Sequence, residues 1–125
     1  MVYLRSKLAQ AKGSTAGGKG SKHWLLQRFS AILMLPLFVF LLFNLKQIAG
    51  LDFDGAKIWF QNPVNALVMA LLIFNICFHG SLGLQVVIED YVSCKASKFT
   101  MLIMVKLGFF VLGFAGIFAI FSLYN

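Results

Sequence analysis

Three apolar runs, each about 20 residues long, constrain this chain more than any motif in it. They extend from about Trp24 to Phe43, from Val64 to Ile88 and from Phe99 to Leu123. A segment of that length crosses the hydrocarbon core of a bilayer. Lipid offers the backbone no hydrogen-bond partner, so such a segment is helical unless a barrel closes. Of the 125 residues, 60% are hydrophobic and only 12% charged, and the mean hydropathy is +0.86, which suits a membrane protein and exceeds what a soluble domain needs. The expected fold is all-α, with three transmembrane helices in residues 23–125, preceded by a basic segment over residues 1–22.

The net charge of +7 is unevenly placed. Arg5, Lys7, Lys12, Lys19, Lys22 and Arg28 precede or open the first run, and Lys95 and Lys98 separate the second from the third. The joint between the first two runs holds Asp52, Asp54 and Lys57, with no positive excess. Positive loops stay inside, so the N-terminus and residues 93–98 are expected in the cytoplasm or matrix and residues 50–60 outside. The basic segment is read as topogenic, and no nucleic-acid partner is expected, because no soluble fold accompanies it. Residues 11–21, rich in Gly, Ser and Lys, read as a flexible segment. No cleaved signal peptide is visible, because the first run is too extended for an h-region.

Smaller features refine the three spans. Pro36 falls inside the first and is expected to kink it. Asn62-Pro63 reads as N-cap and first-turn proline of the second. Gly80, Ser81 and Gly83 would let a partner helix or a flat ligand come close, and Gly113, Ala115, Gly116 and Ala119 suit helix packing in the third. Cys77 and Cys94 stand about 25 Å apart along a helix, too far for a disulfide.

His79 is the residue that most needs a reason. An ionisable side chain inside a span is costly and marks a functional site by default. Three fates stay open to it: a hydrogen bond to another helix, a place in a proton path, or ligation of a metal, for which haem iron suits a neutral imidazole. Asp90 follows eleven residues later, about 20° around the helix, and Tyr91 lies about 18 Å along it. With Tyr91 at the interface, His79 is near the midplane. Asp90 and Tyr91 have a plain alternative as a helix cap or Lys95 partner and an interfacial anchor. Arg28 is expected at the same depth as Asp90 and Tyr91, where a guanidinium binds a carboxylate or snorkels to headgroups. There is no phosphate-binding loop, no CxxC and no nucleophile elbow.

Taken together, His23-Trp24-Leu25-Leu26-Gln27-Arg28-Phe29-Ser30-Ala31, then His79, then Gln85-Val86-Val87-Ile88-Glu89-Asp90-Tyr91-Val92 resemble the succinate dehydrogenase hydrophobic membrane anchor subunits, the smaller cytochrome b556-type chains of respiratory complex II. The motifs cover about a quarter of the chain.

The resemblance implies a helical bundle shared with a companion cytochrome b anchor subunit, and partnership with an iron–sulfur subunit and a flavoprotein subunit in a bacterial or mitochondrial inner membrane. It implies haem b and ubiquinone as the groups held. By position, His79 resembles the axial haem ligand, Arg28 a residue near the haem propionates, and Tyr91 the tyrosine that bonds the quinone. Asp90 resembles the acid that helps deliver protons there, and His23 belongs to the same inner cluster. The second haem histidine would come from the companion chain. Competing readings are a cofactor-free membrane scaffold, a fumarate reductase anchor, and a small proton-conducting subunit using His79 and Asp90 as relay groups.

Overall fold

The structure is a computed structural model that describes residues 16–125. Arg5, Lys7 and Lys12 of the basic segment, and residues 11–15 of the stretch expected to be flexible, lie outside the described residues. Those described form four helices: α1 (Ala16–Ala49), α2 (Phe53–Gln61), α3 (Pro63–Tyr91) and α4 (Lys95–Tyr124). Three are long and apolar enough to cross a membrane, and no strand occurs among the described residues. The three spans are therefore as expected, and each is longer than its apolar run.

α1 differs most from the sequence reading. It begins at Ala16, so residues 16–21 are helical although they read as flexible. As expected, it continues through Pro36, which sits on an exposed side of the helix.

The joint between α1 and α3 is not a plain loop. It contains α2, a nine-residue helix whose N-cap Asp52 accepts a hydrogen bond from the Gly55 amide at 2.8 Å. A Cβ on Gly55 would stand 2.9 Å from that carboxylate oxygen, so glycine lets the cap close. Trp59 anchors α2 by burying its ring, 6.5 Å from Phe40 of α1, while its carbonyl accepts from Asn65 of α3.

At the start of α3 the Asn62 side chain accepts from the Val64 amide at 2.9 Å, with Pro63 in the first turn, as the sequence implies. At its far end the Val92 amide reaches the Ile88 carbonyl, and Lys98 Nζ donates to the Glu89 carbonyl at 2.8 Å. Only Val92, Ser93 and Cys94 separate α3 from α4.

α3 is central, with α1 and α4 both packed on it. Glycine sets the α3–α4 approach. A Cβ on Gly80 would stand 2.9 Å from the Phe109 ring, one on Gly116 would be 3.0 Å from Ile73, and Gly113 lies against Cys77. Gly80 thus admits this chain's own α4, not a flat ligand. Large apolar side chains such as Phe29, Phe43, Phe110 and Phe118 remain exposed, which is the surface that lipid and neighbouring membrane chains cover.

Candidate functional site

The contact between α1 and α3 is built on polar residues. Ser30 and Asn75 are each only 3% exposed, in a molecule where few side chains are buried. Asn75 lies four residues before His79, on the same face of α3. Its Nδ2 donates to the Ser30 carbonyl across the helix pair at 2.8 Å. One turn further along α3, the Ser30 hydroxyl meets His79 Nδ1 at 2.8 Å. The same hydroxyl lies 2.9 Å from the Gln27 carbonyl, which can only accept.

Those two contacts choose a tautomer. A hydroxyl has one proton. If Ser30 donates it to Gln27, its oxygen must accept from Nδ1–H of His79. In the neutral ring, a hydrogen on Nδ1 leaves the lone pair on Nε2. Among the described residues Nε2 has no hydrogen-bond partner. Of the three fates open to His79, the hydrogen bond to another helix is the one made here; a metal-ligating histidine would likewise have its other ring nitrogen held by a second partner.

Gln27 lies beside Gly83, and Ser30 beside His79. Arg28 therefore sits between the levels of Gly83 and His79, about 12 Å from Asp90 along the axis. This corrects the expectation that Arg28 shares the depth of Asp90 and Tyr91. The cause is the long N-terminal extension of α1, which carries Arg28 further into the bundle than the start of the apolar run suggests. Arg28 stacks its guanidinium 5.4 Å from the Trp24 ring centroid. Nearby, Nε2 of His23 is buried and has no hydrogen-bond partner among the described residues.

Asp90 and Tyr91 close α3, and Tyr91 is 84% exposed. Neither makes a hydrogen bond or ion pair among the described residues. Lys98 goes to a backbone carbonyl, and Gln85 takes the Glu89 side chain. A carboxylate at a helix C-terminus opposes the macrodipole. The pairing of Asp90 with Lys95 is not made, and Asp90 does not cap the helix. His79 and the Asp90–Tyr91 pair thus occupy separate levels of one helix.

Ser30, Asn75 and Lys106 were missed as functional candidates. Asn75 had a signal, being a polar residue one turn before His79 within an apolar run. Lys106 had one as well, as the charge within the third run. Among the described residues no three His, Cys, Asp or Glu side chains converge.

Three long apolar helices define a multi-pass membrane protein, and its polar residues gather on the α1–α3 contact and the end of α3. Residues 4–115 match the model of the succinate dehydrogenase/fumarate reductase transmembrane subunit family. A succinate dehydrogenase hydrophobic membrane anchor subunit of Rickettsia bellii is 36% identical over 109 residues, covering 86% of each chain. Its counterpart in Rickettsia prowazekii is 31% identical over 86% of each. A succinate dehydrogenase membrane anchor subunit of Reclinomonas americana is 31% identical over 70% of this chain and 75% of its own. No solved structure matches the chain. The chain belongs to this family, as a membrane anchor subunit of succinate dehydrogenase. It is a multi-pass inner-membrane component of an enzyme complex, not its catalytic head, and works with the other subunits of that complex.

Proposed function

We propose that this anchor helps bind haem b and ubiquinone, and that electrons from succinate oxidation reach the quinone pool beside it. The observation that carries the haem reading is the state of His79: Nδ1 is engaged by Ser30 and Nε2 has no partner. When bound, haem supplies reversible one-electron chemistry. The chain would contribute the His79 imidazole as a ligand, the Ser30 hydroxyl that holds its other ring nitrogen, and the Arg28 guanidinium for a carboxylate of the group. A second ligand would come from a companion cytochrome b anchor subunit, with which this chain would share a bundle.

The quinone reading rests on Asp90 and Tyr91. A phenol donates a hydrogen bond to a quinone oxygen. A carboxylate beside it, open to water at the helix end, exchanges the protons that quinone reduction consumes. Both side chains are free of intrachain bonds. With the N-terminus and residues 93–98 inside, as the charges imply, Tyr91 faces the side where an iron–sulfur subunit delivers electrons received from a flavoprotein subunit.

A reduced-minus-oxidised spectrum of the purified complex tests the haem reading. A b-type band that changes in His79→Ala supports it. An unchanged band in that variant excludes His79 as the ligand. Co-purification of a flavoprotein and an iron–sulfur protein tests the assembly, and their absence would favour a proton-conducting or scaffold role.

A further inference from the structure

α4 carries a charge for which the fold supplies no partner. Lys106 lies eleven residues into a 30-residue apolar helix. Among the described residues it makes no hydrogen bond or ion pair. The approaches of Phe109 to Gly80 and of Gly113 to Cys77 place it at about the level of Gly83, about 6 Å nearer the Tyr91 end than His79. α4 is about 45 Å long against a hydrocarbon core of about 30 Å, so the Lys106 backbone lies about 9 Å inside the near boundary. An extended lysine brings its ammonium most of the way to that boundary.

A cavity of about 290 Å³ opens beside it, between α3 and α4. Lys106 and Ser81 line the end nearest Tyr91. Beyond them the walls include Phe74, Phe78, Phe110 and Phe114, and the groove reaches Ile117, about 16 Å deeper. The Ser81 hydroxyl makes no hydrogen bond among the described residues. Cys77 and Ser81 lie about 200° around α3 from His79, so this groove opens away from the face that holds Ser30.

We propose that the groove binds an anionic phospholipid. One acyl chain lies along the phenylalanine walls, Lys106 binds the phosphate at the boundary, and Ser81 donates to an ester carbonyl one step deeper. The length of the groove selects this occupant. A carboxylate on a neighbouring protein would satisfy Lys106 but would leave a long apolar channel with no role, whereas an acyl chain fills it. The lone positive charge favours a net negative headgroup over a zwitterionic one. This site is independent of the haem and quinone reading.

The test uses the whole complex in phosphatidylcholine vesicles. These contain a trace of either phosphatidylglycerol or phosphatidylcholine with a photoreactive acyl chain, and adducts are mapped by mass spectrometry. The expected result is about fivefold more adduct on the groove residues of α3 and α4 with phosphatidylglycerol. That excess falls to the phosphatidylcholine level in Lys106→Gln and returns in Lys106→Arg. Equal labelling by the two lipids, labelling indifferent to Lys106→Gln, or a carbodiimide cross-link from Lys106 to a carboxylate on another subunit would overturn the proposal. Should Lys106→Gln fail to assemble, the headgroup comparison on the unaltered complex and on Lys106→Arg still decides.

Discussion

The hydroxyl of Ser30 stands 2.8 Å from Nδ1 of His79 while facing the carbonyl of Gln27 at 2.9 Å. A buried serine thus joins the backbone of α1 to the ring of α3. Asn75 holds the same stretch of α1 from the other side, through the Ser30 carbonyl. Together they tie α3 to one turn of α1, and Ser30 is the member that touches the ring.

Ser30→Ala removes the acceptor for Nδ1–H and leaves the ring free to turn. Losing such an outer partner lowers affinity for the bound metal group about 10–100-fold. The expected outcome is reduced haem content in the purified complex and an altered electron paramagnetic resonance signal from the haem that remains. Ser30→Thr, which keeps the hydroxyl, restores both. Full haem content with an unaltered signal in Ser30→Ala would show that the serine serves only to pack the two helices.

Asn75→Leu tests the other half of the clamp. It keeps the branched shape, with somewhat greater bulk, and deletes one interhelical hydrogen bond, which in a bilayer contributes about 0.6 kcal/mol on average. The complex should assemble and melt at a slightly lower temperature, with the haem spectrum nearly unchanged. A haem defect as large as that of Ser30→Ala would mean that Asn75, more than Ser30, positions His79.

The spans were legible because lipid imposes one rule along their whole length, and His79, Asp90 and Tyr91 stood out as polar groups in apolar surroundings. What was not legible depended on how the helices meet. The level of Arg28 follows from the register of α1 on α3, set by Gln27 against Gly83 and Ser30 against His79, and no residue announces it alone. α2 was hidden because nine residues give a weak periodic signal, although Asp52 as N-cap and the buried Trp59 mark it. By sequence Gly80 suits a ligand gap and a helix contact equally, and only the Phe109 ring packed against it distinguishes the two. The helical start of α1 at Ala16 runs through a Gly-rich stretch whose local preference is for coil.

Glycine substitutions separate packing from composition. Gly80→Ala places a methyl 2.9 Å from the Phe109 ring, whereas nothing lies within 4 Å of the corresponding position at Gly108. Overpacking of this kind costs about 1–3 kcal/mol. Gly80→Ala should therefore lower the thermal stability of the complex, and Gly108→Ala should leave it unchanged or slightly raised. Equal behaviour of the two variants would contradict the α3–α4 register.

Cys94 is exposed at the joint of α3 and α4, next to Lys95 and Lys98. In right-side-out membranes it should resist a membrane-impermeant maleimide and react once the membrane is opened. A cysteine placed at Asp54, in α2, should do the reverse. Reaction of Cys94 from outside would invert the map and move Tyr91 away from the iron–sulfur partner.

Tyr91→Phe removes one hydroxyl and almost no volume. Tyr91 makes no bond within the described chain, so the substitution leaves the fold alone and probes only what the phenol meets in the complex. Losing a hydrogen bond to a neutral carbonyl costs about 0.5–1.5 kcal/mol, or roughly three- to tenfold in rate. Quinone reduction should fall by that factor while succinate oxidation by an artificial acceptor at the flavin persists. Asp90→Asn relieves an unfavourable charge at the C-terminus of α3, so the helix should be no less stable. Quinone reduction should nonetheless slow, with a changed pH dependence, because the amide cannot exchange protons. A complex that keeps normal quinone kinetics in both variants would reduce the pair to an interfacial anchor and a stray charge, and would confine this chain's role in electron transfer to His79.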